Sequence, residues 1–279
     1  MYSYYPSFLK INASKNRKAF YALAGVMLLF WLLRWLNGDY RLADSNEYIQ
    51  TAHLIKNGSW FLPASNPAQA AMLTKRPFLY PLWLLFTGPA SDGVTAFLQN
   101  ICGLLTLFMA VKLFEMKGGQ KPSILFLFIL LTPCIFIYTH LLMTEVIAAS
   151  LITLLAVLCF SEFSRRKFIG IQVIIGLLPF LKPVFYPFVF INFFYWLFLY
   201  FKRKHAIMLL SAVPVLLMFS YMGFNSYRTG YFQFSSIQTI NLENYNLFYF
   251  EVTENGYNRA AQLKDSLDQE ALKYSSFRD

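Results

Sequence analysis

Charge is what this sequence has least of: 14% of its 279 residues are charged, where a soluble domain carries about a quarter. That scarcity argues against an ordinary water-soluble fold and places the chain in the class whose solvent is lipid. Cysteine is scarce too. Cys102, Cys134 and Cys159 all sit inside apolar runs, with no CxxC spacing and no neighbouring histidine. They read as small buried hydrophobes, and neither a disulfide framework nor a zinc site follows. HExxH, Walker A, GxGxxG and GxSxG are all missing, so no nucleotide cradle or serine nucleophile is expected. No cofactor follows from the residues, which leaves only a divalent cation open. The first apolar run lacks a small-residue cleavage site and reads as a retained span, not a signal peptide.

What is present is apolar length. Hydrophobic residues make up 57% of the chain, with thirty Phe and eighteen Tyr, suited to lipid-facing surfaces and interfacial belts. Candidate spans are expected at Ala19–Leu36, Val94–Phe114, Ser123–Tyr138, Val146–Phe160, the short Phe168–Leu181 that Lys182-Pro183 ends, Val184–Phe201 and Ala206–Phe224. The shorter Phe78–Phe86, bracketed by Pro81 and Pro89, reads as re-entrant or interfacial. The expected architecture is an all-α polytopic membrane protein of about seven transmembrane helices. Residues 1–224 form the membrane module, with an outer loop at 37–81. Residues 225–279 form a polar, water-exposed tail, helical from about Asn258 to Tyr274.

The net charge of +10 has a plainer explanation than nucleic acid, because basic residues of polytopic proteins collect in cytoplasmic loops. With the N-terminus in the cytoplasm, Lys10/Lys15/Arg17/Lys18, Lys112/Lys117/Lys121, Arg165/Arg166/Lys167 and Lys202/Arg203/Lys204 all fall on that side. The outer face then receives the 37–81 loop, the 139–145 turn, Lys182 and the tail. Asp44, Lys75, Arg76, Glu145 and Lys182 thus meet at one depth, where residues near span ends build shared cavities.

The loop carries the densest polar chemistry. Tyr48, Ile49, Ala52 and Ile55 recur at spacings of three and four, which predicts an amphipathic helix over Ser45–Asn57 lying on the membrane surface. Gly58 would end it, and Asp44 or Ser45 would cap its start. Asp44 has a second reading as a general base toward an attacking hydroxyl or amine. Asp39 reads as a solvated interfacial charge, and Glu47 as a residue of the helix's wet face. Lys75-Arg76-Pro77 is either an interfacial basic pair or a clamp for the phosphate of a lipid-linked substrate. Lys182, before Pro183, leans toward a second phosphate contact. Glu145 suits a helix N-terminus. His53 and His140 read as surface or turn histidines.

The order of these features resembles the lipid-dependent membrane glycosyltransferases of GT-C fold. The likeness is strongest to family 39, the protein O-mannosyltransferase and aminoarabinose-transferase group. Asp44-Ser45-Asn46-Glu47-Tyr48 with Ala52 is similar to that family's D-E-x-x-Y-x-x-x-A motif. Lys75-Arg76-Pro77-Phe78-Leu79-Tyr80-Pro81 is similar to its K/R-P-P-x-x-Y-P run. Ser45 stands where the family often has a second acid, and Phe78 where it has a second proline. Thr144-Glu145 and Leu181-Lys182-Pro183 also look like that family. The likeness covers about residues 20–245 as an order of features, in a chain shorter than members with further spans.

The resemblance implies an inverting transferase of the cell envelope, in a bacterial inner membrane, with its active site extracytoplasmic. It would move a sugar from a polyprenyl-phosphate donor to a lipid, glycan or protein acceptor. Asp44 would be the base. Arg76, Lys75 and Lys182 would hold the donor phosphate, and Glu47, Tyr48, Tyr80, Glu145 and His53 would contact substrate. A flippase for lipid-linked sugars is the competing reading. Flippases tend to show paired repeats and broken mid-membrane helices, which this sequence lacks. A non-catalytic membrane scaffold is the other.

Overall fold

A computed structural model describes residues 14–37, 41–88, 92–116 and 138–237. Helices and the turns between them account for these residues, and none of them is in a strand. The chain divides into two units after Ser235, and every described helix belongs to the first. In order, the helices are α1 (Ser14–Asn37), α2 (Ala43–Lys56), α3 (Pro67–Lys75), α4 (Leu79–Thr87) and α5 (Asp92–Met116). Beyond residue 137 come α6 (Glu145–Phe160), α7 (Arg165–Leu181), α8 (Tyr186–Arg203) and α9 (Ala212–Thr229). Single-turn 3-10 segments at Ser59–Phe61 and Pro183–Phe185 and a longer one at Ala206–Ser211 join them.

Four of these stretches are long and apolar enough to cross a bilayer: Asn16–Leu36, Asp92–Met116, Pro183–Arg203 and Ala206–Thr229. Their outward faces are apolar, as at Leu29, Phe97, Phe198 and Leu216, which suits lipid rather than water. The protein is therefore read as a membrane protein. The expected span at Ser123–Tyr138 lies outside the described residues. At 16 residues, α6 rises about 24 Å, short of a hydrocarbon core of about 30 Å. Helix α7 has 17 residues and is set apart by its burial. It packs against α4, α6, α8 and α9, and its Gln172 exchanges hydrogen bonds with Asn192 of α8 at 2.8 and 3.4 Å. Ten of its 17 residues are buried, while Ile169, Val173 and Leu177 keep one face exposed.

Close packing on the N-terminal side turns on one glycine. A Cβ at Gly103 of α5 would stand 2.2 Å from Met27 Cε of α1 and 2.7 Å from Thr139 Cγ2. The absent side chain leaves room for Met27 and Thr139 to pack onto α5 there. Helix α4 ends after one short run, as expected for a non-spanning segment, and lies against α2, α5 and α7.

Three expectations change. Helix α2 forms as predicted, but its apolar face does not rest on lipid. Tyr48 and Ala52 are buried against Tyr80 and Leu84 of α4 and against Leu141–Met143. Its cap is Leu42, not Asp44 or Ser45: the helix begins at Ala43, and Ser45 Oγ accepts the Leu42 N–H from inside the first turn at 2.9 Å. The boundary drawn after residue 224 falls inside α9, which runs on to Thr229. Asn225 and Arg228 are fully buried there instead of belonging to a water-exposed tail. The helix expected at 258–274 lies outside the described residues.

Candidate functional site

Two prolines position the site's cations. The residue before a proline is pushed out of the α region by clash with the ring. Arg76, before Pro77, ends α3 in an extended conformation (φ −117°, ψ 127°). Lys182, before Pro183, does the same at the end of α7 (φ −147°, ψ 120°). Both side chains are released from their helices where the chain turns, and each meets carboxylates.

The first cluster joins the start of α2 to the end of α3. Arg76 Nε donates to Glu47 Oε2 at 2.7 Å, and its Nη2 lies 2.9 Å from Asp44 Oδ1. Lys75 Nζ donates to the other Glu47 oxygen at 2.6 Å. Asp44 and Glu47, three residues apart, share a face of α2, which lets one guanidinium span both. The Arg76 guanidinium also lies 4.9 Å from the Tyr48 ring centre, a cation–π arrangement. Burial pushes the Glu47 carboxyl up, but the hydrogen bonds and charges of Lys75 and Arg76 outweigh it and leave its pKa below the usual carboxylate value.

The second cluster lies across Tyr48. Lys182 Nζ donates to Glu145 Oε1 at 2.8 Å, and Thr144 Oγ1 donates to Glu145 Oε2 at 3.3 Å. The Tyr48 hydroxyl accepts from Arg76 Nη1 of the first cluster at 3.4 Å and feels the charges of Glu145 and Lys182 of the second. Tyr48 is the bridge between them. Beneath it, Tyr80 meets Tyr48 edge to face at 4.9 Å and donates to Gln99 Oε1 at 2.7 Å. Gln99 in turn donates to the Leu141 carbonyl, so α4, α5 and the 139–144 turn are tied under the site. Burial is the main reason that the Tyr48 and Tyr80 phenols have raised pKa values, and both stay protonated.

The expected residues thus converge, with one exception and several changes of partner. His53 is separate: it faces away from Asp44 on α2 and lines a cavity of about 410 Å³ with Arg41, Lys56, Leu84 and Asp92. Glu47 does not sit on a wet face; it is the internal counter-ion of Lys75 and Arg76. Lys182 is not a lone charge, since Glu145 pairs with it. Asp39 lies outside the described residues. Among the described residues no group of three or more His, Cys, Asp or Glu is placed to hold a metal ion.

Sequence reasoning missed the brace behind α3. Arg228 of α9, fully buried, donates to the Trp60 carbonyl at 2.8 Å, the Leu73 carbonyl at 3.0 Å and Asn225 Oδ1 at 2.6 Å. Its guanidinium stacks 4.0 Å from the Trp60 ring centre. Past the helix, Ser235 Oγ donates to the Lys75 carbonyl at 2.9 Å. The last turn of α3 is held from behind, so that Lys75 and Arg76 project forward. Comparison of the chain with protein-family profiles, characterised proteins and solved structures finds no match to set beside this geometry.

Proposed function

We propose that the protein is a membrane glycosyltransferase that uses a polyprenyl-phosphate-linked sugar, with Asp44 as general base. The observation that carries this reading is the meeting of Asp44, Lys75, Arg76, Glu145 and Lys182, from separate stretches of chain, around Tyr48. Arg76 engages Asp44 Oδ1, which orients the carboxylate and leaves Oδ2 for the proton of an acceptor hydroxyl. The acceptor oxygen would bond to the anomeric carbon from the face opposite the phosphate, inverting it. The bond from that carbon to the phosphate oxygen would break, and the polyprenyl phosphate would depart with the electron pair. Arg76, Lys75 and Lys182 would stabilise its charge, and no general acid is needed because phosphate leaves readily. Tyr48, Tyr80, Glu47 and Glu145 would shape the sugar site.

An apolar groove of about 320 Å³ between α6, α7 and α8 supports the lipid-linked donor. Leu178 and Phe185 of its lining flank Lys182, so a prenyl tail could lie in the groove with its phosphate at the cation. The fuller architecture proposed is a seven-span GT-C bundle in a bacterial inner membrane, N-terminus cytoplasmic and site outside. It adds α6, α7 and the 123–138 segment to the four long apolar helices. A non-catalytic scaffold is favoured by one observation: every cation of the site is already matched by a carboxylate.

The test is sugar transfer from a polyprenyl-phosphate sugar pool by purified wild type and Asp44→Asn. General-base loss costs roughly 100-fold or more in rate, while donor binding persists. Full activity in Asp44→Asn sinks the base assignment. A wild type that binds no donor leaves the scaffold.

A further inference from the structure

At the far end of α7 from Lys182, a second charged region has a different make-up. Arg165, Arg166 and Lys167 open α7, and Lys202, Arg203 and Lys204 close α8. The 3-10 segment Ala206–Ser211, which packs on α7 and α8, brings His205 and the α8 end back toward α7. Between them lies a cavity of about 530 Å³ lined by Phe163, Arg165, His205, Ala206, Ile207 and Met208. The chain from 161 to 211 holds a single carboxylate in this region, Glu162. None of the six Lys and Arg side chains forms an ion pair among the described residues. Lys167 Nζ reaches only the Glu162 backbone carbonyl, at 2.9 Å.

The backbone adds an independent sign. Lys204 is the one non-glycine residue at positive φ among the described residues (55°). It is the C-cap of α8 (ψ 26°), where glycine is favoured because a Cβ is strained. A lysine there is held in a costly conformation with its ammonium 5.6 Å from the Phe201 ring centre. Strain kept at a charged position points to use of the charge.

We propose that this cavity binds the phosphate headgroup of an anionic membrane lipid, with Arg165 and His205 on the phosphate and an acyl chain along Phe163 and Ile207. Cation clusters at a membrane edge, and basic pockets between helices, attract such headgroups. The apolar part of the lining distinguishes a lipid from a soluble anion: Phe163, Ala206, Ile207 and Met208 make up most of it, and free phosphate has no use for them. Helix α8 and the Ala206–Thr229 stretch are long and apolar enough to cross a bilayer, and their junction at Lys204–His205 is where a headgroup layer would meet them. The site is separate from the Asp44 cluster and does not depend on its chemistry.

The full chain in a zwitterionic detergent, titrated with phosphatidylglycerol or phosphatidylcholine and followed by native mass spectrometry and by its unfolding temperature, tests this. Phosphatidylglycerol should bind and raise the unfolding temperature, and phosphatidylcholine should do neither. Arg165→Gln/His205→Gln should lose roughly tenfold in phosphatidylglycerol affinity. Arg17→Gln/Lys18→Gln, which removes basic residues at another helix end, should not. Equal loss in both variants reduces the effect to diffuse attraction and overturns the site. So does competition by inorganic phosphate at the lipid's own concentration, or a short RNA that binds more tightly than the lipid. Because these side chains are exposed, the unfolding temperature in detergent alone should match wild type.

Discussion

The two ends of α7 treat charge in opposite ways. At Lys182 each cation has a carboxylate within 3 Å, and the Asp44, Glu47 and Glu145 carboxylates match Lys75, Arg76 and Lys182 one for one. At Arg165, about 25 Å along the helix, six cations share one acidic neighbour whose side chain pairs with none of them. At the paired end partly buried charges have their partners in place, which offsets the cost of removing them from water. The cation-only end stays exposed and depends on charge from outside the protein. One end is built for internal geometry and the other for contact with its surroundings.

Substitutions can break or sharpen this contrast. The largest effect on stability should come from Arg228→Met, behind the paired end. It leaves the Trp60 and Leu73 carbonyls buried without donors, which costs about 3 kcal/mol, read as a lower unfolding temperature in detergent. Faster tryptic cleavage after Lys75 should accompany it; the Arg76–Pro77 bond resists trypsin in either state. Tyr80→Phe removes the donor to Gln99 and should cost about 1–2 kcal/mol, with the ion pairs unchanged. Lys204→Gly, at the other end, relieves the αL strain and should stabilise the lipid-free protein by about 1 kcal/mol while weakening anionic lipid binding.

Acid should loosen the paired side of the molecule in two steps. A carboxyl with a depressed folded pKa contributes stability above its unfolded value and loses it as pH falls through the folded one. Glu47 is of this kind, so the α2–α3 clamp should loosen only below the ordinary carboxylate range. His140 adds an earlier loss. Burial, and then the Arg34 charge, lowers its pKa to about 4, so it opposes folding increasingly as pH falls from about 6.5 toward 4. Glu47→Gln should abolish the lower step and leave the His140 step in place. Thermal melts from pH 7 to pH 3 read both steps.

How far the sequence foretold this differs from element to element. Helices α1, α5 and α8 follow from apolar length alone, and α2 from its three-and-four spacing. Arg76-Pro77 and Lys182-Pro183 could be placed at one end of the bundle from the alternation of basic loops, and their extended geometry follows from proline itself. Partners were harder to see. Glu47 lies one turn from Asp44, but that it faces inward is set by the packing of Tyr48 and Ala52 on α4, which no local pattern states. Arg228 was the least legible. Four residues past the last apolar run, it reads as part of a water-exposed tail, and only tertiary contact brings the carbonyls of Trp60 and Leu73 to it. The burial of α7 was hidden for a similar reason: Gln172 reads as a blemish in a short apolar run until Asn192 is placed opposite.

The Arg228 brace also carries a consequence for how the protein is made. It closes contacts across 168 and 155 residues of chain. A ribosome adding about 5–20 residues per second therefore finishes α3 roughly 8–30 s before α9 exists to hold it. Throughout that interval Lys75 and Arg76 stand on a short helix with nothing behind it, however well α2 has formed in front. The site is written early in the chain and completed late.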